Sequence, residues 1–261
     1  MGLRMLERLD YVKLLPRRIL DAGSGPSPQA AQLARRYRGA QVVAMDFSLP
    51  MLRQAKPAGL LQRLAGRGGQ MALCADIARI PLAARSISLA WSNMALHWAA
   101  DMQAAIREFH RVLEVDGLLM FSTLGPDTLR ELRSAFAGSG KQRHVHGFID
   151  MHDLGDMLVA AGFAAPVMDT ETITLTYAGV DAMLADLRAT GQTCALAERP
   201  RGLLGPRGWQ RVRAALEKCA RDGRLPATIE VVYGHAWKPA PRLTSDGHAI
   251  VKLEASPRNR N

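Results

Sequence analysis

The chain has 261 residues, 48% of them apolar and 22% charged, with a formal net charge of +10. That composition is ordinary for a globular protein, suffices for one large α/β domain, and contains no apolar run near the roughly 18 residues a membrane helix needs. Positions 1–9 mix Arg4, Glu7 and Arg8 with isolated apolar residues, so they offer neither a signal-peptide core nor a stop-transfer segment, and the cytoplasm is the expected compartment. Short apolar runs then alternate with amphipathic stretches, the mark of βαβ units on a mainly parallel sheet. Strands are predicted over 18–20, 41–45, 70–74, 87–91 and 117–123. Helices are predicted over 28–37, 50–54 and 101–113, the last carrying Met102, Ala105, Ile106, Phe109, Val112 and Leu113 at helical spacing. Beyond 122–125 a polar, Gly-containing connection around 138–143 leads to a helix over 151–161, which Gly162 should stop. Residues 167–177 alternate Thr with apolar residues and read as a strand with one wetter face. Helices over 181–190 and 206–221 flank a Pro/Gly-rich loop at 199–205, and a last strand is expected over 228–237. The expected architecture is α/β and Rossmann-like: a mostly parallel seven-stranded sheet with helices on both faces and a helical cap, about 179–225, inserted between the last two strands. The domain should span 1–238, and 239–261, with Pro239, Pro241 and Pro257, should be loosely held.

Cys74, Cys194 and Cys219 are odd in number and far apart, which supports neither a disulfide framework nor a zinc ribbon. The basic residues are interleaved with acids and accompanied by few aromatics, a pattern that argues against a nucleic-acid surface and suits an acidic protein partner.

Residues 17–29, RRILDAGSGPSPQ, are the most informative segment: a strand, an acid, two glycines one residue apart, then a helix. Gly23 and Gly25 permit backbone conformations and a close approach that a Cβ would obstruct, and the turn delivers a ligand to a helix N-terminus. A dinucleotide fingerprint would need Gly or Ala where Pro28 stands, and it does not carry an acid at Asp21. A carboxylate there is poorly placed beside a pyrophosphate and well placed to attract the cationic end of S-adenosylmethionine. Asp46, ending QVVAMD, can accept from ribose hydroxyls. Asp76, ending LCAD, can accept from the adenine amino group, with the Ile77 backbone against the ring. WSNMALHW then places Asn93, His97 and Trp98 at the ligand edge. Each residue alone also fits an ordinary cap or turn; together they favour a methyl-donor crevice.

These residues resemble the malonyl-acyl-carrier-protein O-methyltransferases of biotin synthesis, in the class I S-adenosylmethionine-dependent methyltransferase family. The likeness runs through MLERLDYVKLLPRRILDAGSGP, VVAMDFSLPMLRQAK, AWSNMALHW, FSTLGPDT with LREL, FIDMHDLGDMLVAAGF and YGHAWKP. It implies that Asp21, Gly23, Gly25, Asp46, Asp76, Ile77 and Asn93 hold the cofactor. Two departures stand out: Ser24 and Ser27 occupy positions where the usual motif has Cys and a further Gly, and family members generally carry a helical segment before MLERLDY, near which this chain starts. The resemblance further implies methylation of the free carboxylate of a malonyl thioester, on acyl-carrier protein or coenzyme A. A carboxylate is already ionised at neutral pH, so no general base, covalent intermediate or metal is expected. His97 and Trp98 can wall a substrate pocket, and Arg143, His144 and His146, in KQRHVHGF, can approach it. The spacing of His144, His146, Asp150 and His152 matches no strong metal template. Arg188, Arg199, Arg201, Arg207, Arg211, Arg213, Lys218, Arg221 and Arg224 make the expected cap basic enough to dock an acidic carrier protein. Alternatives are another small-molecule or tRNA methyltransferase on the same fold, or a non-catalytic binding protein that retains it.

Overall fold

A strand that reads as a continuous apolar run is covered on both faces, as four of the five strands in the parallel part of the sheet are. The computed structural model of the chain describes residues 1–54, 70–137, 144–194, 199, 202 and 204–241. Its strands are β1 (Arg18–Ala22), β2 (Gln41–Asp46), β3 (Gln70–Cys74), β4 (Ile87–Asn93), β5 (Leu113–Leu124), β6 (Ala164–Tyr177) and β7 (Leu225–Trp237). They form one seven-stranded sheet in the order β3-β2-β1-β4-β5-β7-β6, parallel from β3 to β5, with β7 antiparallel to both its neighbours. The mostly parallel sheet expected from the sequence is therefore present, and β7, the last strand in the chain, is inserted between two earlier ones.

Around the sheet lie α1 (Gly2–Arg8), α2 (Pro28–Arg36), α3 (Leu49–Gln54), α4 (Met102–Val112), α5 (Arg130–Phe136), α6 (Met151–Ala160), α7 (Val180–Ala189) and α8 (Pro206–Glu217). Strand periodicity divides the core. Leu20, Val43, Ala90, Leu119 and Phe121 face one way and pack with Ile106, Phe109 and Val112 of α4 and Leu154 and Leu158 of α6. Ile19, Val42, Leu89, Trp91 and Met120 face the other, against Met5 of α1, Leu9, and Ala30 and Leu33 of α2. A third cluster joins Leu132 of α5, Val180 and Met183 of α7, and Val212 and Leu216 of α8 to Leu225 and Ala227 at the start of β7. The two helices between β6 and β7 are thus folded onto a ribbon that continues past the end of β5.

Helix ends follow local chemistry. Asp101 caps α4 by accepting from the Ala104 N–H at 2.9 Å, and Asp150 caps α6 by accepting from the His152 N–H at 2.8 Å. Gly162, at φ +95°, ends α6 as expected, with the Phe163 N–H returning to the Leu158 carbonyl at 3.1 Å.

Two helices occupy segments where none was expected. α1 is tied to β6 by the Arg4–Glu171 ion pair and by Arg8–Asp169 at 2.5 Å, and the Arg8 guanidinium lies 4.3 Å from the centroid of the Tyr233 ring. α5 lies just before the connection expected around 138–143, where no element was assigned, and Glu131 anchors it by accepting from the Thr228 N–H at 3.0 Å. Several strands also run longer than expected. β5 begins at Leu113, because a register shift between Ile87 and Leu89 lets Leu113 pair with Ile87 before the regular ladder starts. The expected helix over 206–221 ends at Glu217.

Candidate active site

The C-terminal ends of the parallel strands are where an open α/β sheet exposes backbone groups and leaves a crevice. Asp21 lies in β1 one residue before its end, level with Ala44 of β2 and Trp91 of β4. The turn that follows is fixed from β2: the Gly23 and Ser24 N–H groups donate to the Met45 carbonyl at 2.8 and 2.9 Å. Asp46 completes the tie, its two carboxylate oxygens accepting from the Gly25 N–H at 2.8 Å and the Ser48 N–H at 2.7 Å. Asp46 therefore organises the glycine turn, and each oxygen retains a lone pair for a hydroxyl.

The two glycines serve different ends. Gly23 has φ +76°, and a Cβ there would stand 2.0 Å from the Ala95 Cβ, so it admits the loop after β4. Gly25 has φ +53° and nothing within 4 Å of the position a Cβ would take, which leaves an open cradle at the turn. Ser27, just before α2, is left-handed at φ 62°. A glycine takes that conformation without the Cβ clash, which accounts for the usual motif residue that this chain lacks.

Asp21 is 1% exposed, and its Oδ2 has no partner among the described residues. Burial pushes its carboxyl up to about 7; a hydrogen bond from the Ala30 backbone opposes this, and the charge of Asp46 adds to it. An orphaned carboxylate oxygen beside an open cradle fits a ligand with a cationic group, and the donor set fits S-adenosylmethionine.

Asp76 is exposed at the end of the β3 loop, where its Oδ1 accepts from the Ala78 N–H at 2.8 Å; half-buried Ile77 packs against the core. Asn93, at the end of β4, accepts from the Ser122 hydroxyl at 3.0 Å, and that serine also receives the Met94 N–H at 3.1 Å. Asp21, Gly23, Gly25, Asp46, Asp76, Ile77 and Asn93 thus share one edge of the sheet.

A second group lies farther along that edge. His97 and Trp98 sit on a single 3₁₀ turn, Leu96–Trp98. The His97 Nδ1 is 3.5 Å from the Thr123 hydroxyl of β5, and its Nε2 is buried with no partner among the described residues. Its ring centroid is 5.4 Å from Trp98 and 5.9 Å from Phe148, and His146 is 6.4 Å from Trp98. Burial, reinforced by His146, lowers the His97 pKa to about 4, which keeps the imidazole neutral. A cavity of about 160 Å³ opens beside it, lined by His97, Ala99, Met102, Thr123, Phe148 and Leu154 among others.

The structure therefore gathers His97, Trp98 and His146 but not His144, whose ring stacks on Phe136 of α5 at 4.2 Å. Arg143 lies outside the described residues. No group of three or more His, Cys, Asp or Glu able to hold a metal is found among the described residues. Thr123 and Phe148 were not singled out from the sequence. The available signals were a hydroxyl closing an apolar strand and an aromatic two residues after His146.

Of the basic residues on 188–224, Arg213 forms a two-pronged contact with Asp181 at 2.7 and 3.0 Å and reaches Glu217 at 3.1 Å. Arg224 donates to the Thr176 carbonyl and hydroxyl. Arg207, Arg211, Lys218 and Arg221 are exposed, whereas Arg201 lies outside the described residues. No helix among the described residues is long and apolar enough to cross a membrane.

Known proteins share this arrangement. A methyltransferase-domain family model matches residues 20–121, from β1 into β5. Among solved structures, a putative methyltransferase from Bacillus halodurans superposes with a TM-score of 0.63 at 16% identity, over 90% of this chain and 99% of that one. The YcgJ protein of Bacillus subtilis does so with a TM-score of 0.63 at 13% identity, over 92% and 100%. Both likenesses establish the fold. Sequence relatives are far nearer. A malonyl-(acyl-carrier protein) O-methyltransferase of Gallionella capsiferriformans is 54% identical over 96% of this chain and 87% of its own length. One from Laribacter hongkongensis is 52% identical over 96% and 86%. With identity this high across nearly the whole length of both partners, and with the glycine turn and strand-end acids inside the matched region, the chain belongs to the malonyl-(acyl-carrier protein) O-methyltransferase family.

Proposed function

We propose that the chain methylates the free carboxylate of a malonyl thioester carried on acyl-carrier protein, with S-adenosylmethionine as the methyl donor, in the cytoplasm and in service of biotin synthesis. The observation that carries this reading is identity above 50% over 96% of the chain to relatives named for that reaction. The Gly25 cradle and the orphaned Asp21 oxygen support it from the chemical side. S-adenosylmethionine supplies a methyl group already activated on a positively charged sulfur.

The residues of the chain then have a positioning task. Asp21 attracts the cationic amino-acid end, Asp46 accepts from the ribose, Asp76 and Ile77 meet the adenine, and Asn93 closes the crevice toward the acceptor. His97, Trp98 and His146 wall the acceptor side. An acceptor carboxylate with a pKa near 4 needs no proton removed at pH 7. Rate enhancement comes from alignment and from excluding water from the attacking oxygen. Residues 1–238 form the methyltransferase domain, with 179–225 as its cap. The exposed Arg207, Arg211, Lys218 and Arg221 draw in an acidic carrier by long-range attraction, whereas Arg213 braces the cap internally and Arg224 ties it to β6.

Incubation with labelled methyl donor and malonyl-carrier protein tests the reading. An alkali-labile methyl ester on the malonyl group is expected, and a base-stable product, or label on tRNA, would replace it.

A further inference from the structure

We infer that His97 is a neutral hydrogen-bond donor that seats the acceptor's carboxylate in the cavity beside Thr123 and Phe148 while leaving its negative charge intact. This rests on the reading that the acceptor is a carboxylate. It adds which residue holds that group and why the residue carries no charge.

The argument begins with an unsatisfied atom. A buried ring nitrogen without a partner is destabilising, so one that persists at the edge of a ligand crevice calls for an explanation. His110 shows the ordinary solution, with a backbone partner at Gly162 and its ring edge on Phe163. His97 has a comparable ring edge on Phe148 but no hydrogen-bond partner for Nε2 among the described residues. Its other nitrogen faces the Thr123 hydroxyl. If that hydroxyl donates to Nδ1, the ring proton resides on Nε2, and the orphaned atom is a donor.

The surroundings decide its charge. The groups facing the ring are Thr123 from β5, Trp98 from its own turn, and His146 and Phe148 from the 144–150 segment. No Lys, Arg, Asp or Glu is among the described residues that line the cavity. Desolvation therefore holds the imidazole well below its ordinary pKa, at about 4. A carboxylate entering this space meets the His97 Nε2–H but no cation from the described walls.

That environment suits the reaction. The acceptor oxygen forms its bond to the methyl carbon as the carbon–sulfur bond breaks, the electron pair goes to sulfur, and no proton moves. An Arg or Lys clamped on the same carboxylate would stabilise its charge in the ground state and oppose its loss in the ester. A neutral donor orients the group and leaves its attraction to the sulfonium undiminished.

Three variants test this: His97→Leu, which removes the donor; His97→Gln, which restores a neutral one; and Thr123→Val, which releases the tautomer. His97→Leu should lower kcat/KM for malonyl-carrier protein about ten- to a hundred-fold, the range for losing one hydrogen bond to a charged group. His97→Gln should recover most of that loss, and Thr123→Val should fall between them. S-adenosylhomocysteine affinity, measured by calorimetry, should stay within about twofold in all three and certifies the fold. Nitrogen-15 NMR of His97 should show a neutral ring from about pH 6 to 8, with the Nε2–H signal moving downfield when a malonyl thioester is added to the S-adenosylhomocysteine complex. Full activity in His97→Leu, or a ring that becomes charged when the malonyl thioester binds, would overturn the inference while leaving the carboxyl-methyltransferase reading standing. A native chain that forms no methyl ester at all would take down both.

Discussion

Replacing Asp21 by Asn should make the protein more stable and a poorer binder of its methyl donor, and the size of the stability gain should depend on pH in a calculable way. In the folded chain the Asp21 carboxyl is pushed from 3.8 up to about 7 by complete burial. The unfolded chain loses the proton near 3.8 and the folded chain keeps it to about 7, so the unfolded state binds fewer protons throughout that interval. Stability from this group therefore falls as pH rises from about 4 to about 7 and is level above it. At about 1.4 kcal/mol per pH unit the full loss amounts to about 4 kcal/mol, of which less than half has accrued by pH 5. Asn does not ionise and escapes the loss. The Asp21→Asn chain should exceed the native one in urea unfolding followed by tryptophan fluorescence, by about 2–3 kcal/mol more at pH 8 than at pH 5. Donor affinity should drop about tenfold or more, because the ammonium loses its charged acceptor. A gain that does not change with pH, or a variant less stable than the native chain at pH 8, would show that Asp21 is not a desolvated acid in the free protein.

Other changes follow from the same geometry. Ser27→Gly removes a left-handed non-glycine residue and should raise unfolding stability by about 1 kcal/mol, read as a higher Tm. Gly23→Ala should fold poorly or lose several kcal/mol, about 3 or more, because its Cβ meets Ala95 at 2.0 Å; Gly25→Ala has room for its Cβ but sits at φ +53°, so it should cost about 1 kcal/mol of stability and weaken S-adenosylhomocysteine binding in calorimetry about tenfold. Arg211→Glu should leave the melting curve unchanged and raise KM for the carrier-borne substrate about threefold, an effect that fades in high salt. Arg213→Glu should instead lower Tm, since it breaks contacts with Asp181 and Glu217.

Much of the parallel sheet could be read from the chain because a strand buried on both faces leaves a continuous apolar run, as in ILDA, VVAM and ISLAW. The strand-end acids were visible for the same reason: each interrupts such a run. α1 left no comparable trace. Its one buried large side chain is Met5, and the residues that fix it, Asp169, Glu171 and Tyr233, lie more than 160 positions away. α5 has no side-chain cap, starts from Leu129 at φ 54°, and buries only Leu132, so propensity and periodicity both pass over it. Within the site, the glycine turn was legible, but the double role of Asp46 was not, because its bonds to Gly25 and Ser48 depend on how two loops meet. His97 stood out as a residue type; the Thr123 and Phe148 that define its state come from segments that only the folded sheet brings together.

The position of β7 has a consequence for how the molecule is made. On the ribosome the chain emerges from its N-terminus, and β1 through β5 can align as they appear, each beside a strand already present. β6 cannot join them, because its ladder partner is the strand that follows it, and Arg4 and Arg8 must wait for β6 to find their acids. Release of the last forty or so residues therefore locks three distant pieces at once. A nascent chain halted before Leu225 would carry an unpaired fourteen-residue β segment, the kind of edge that invites association with other chains.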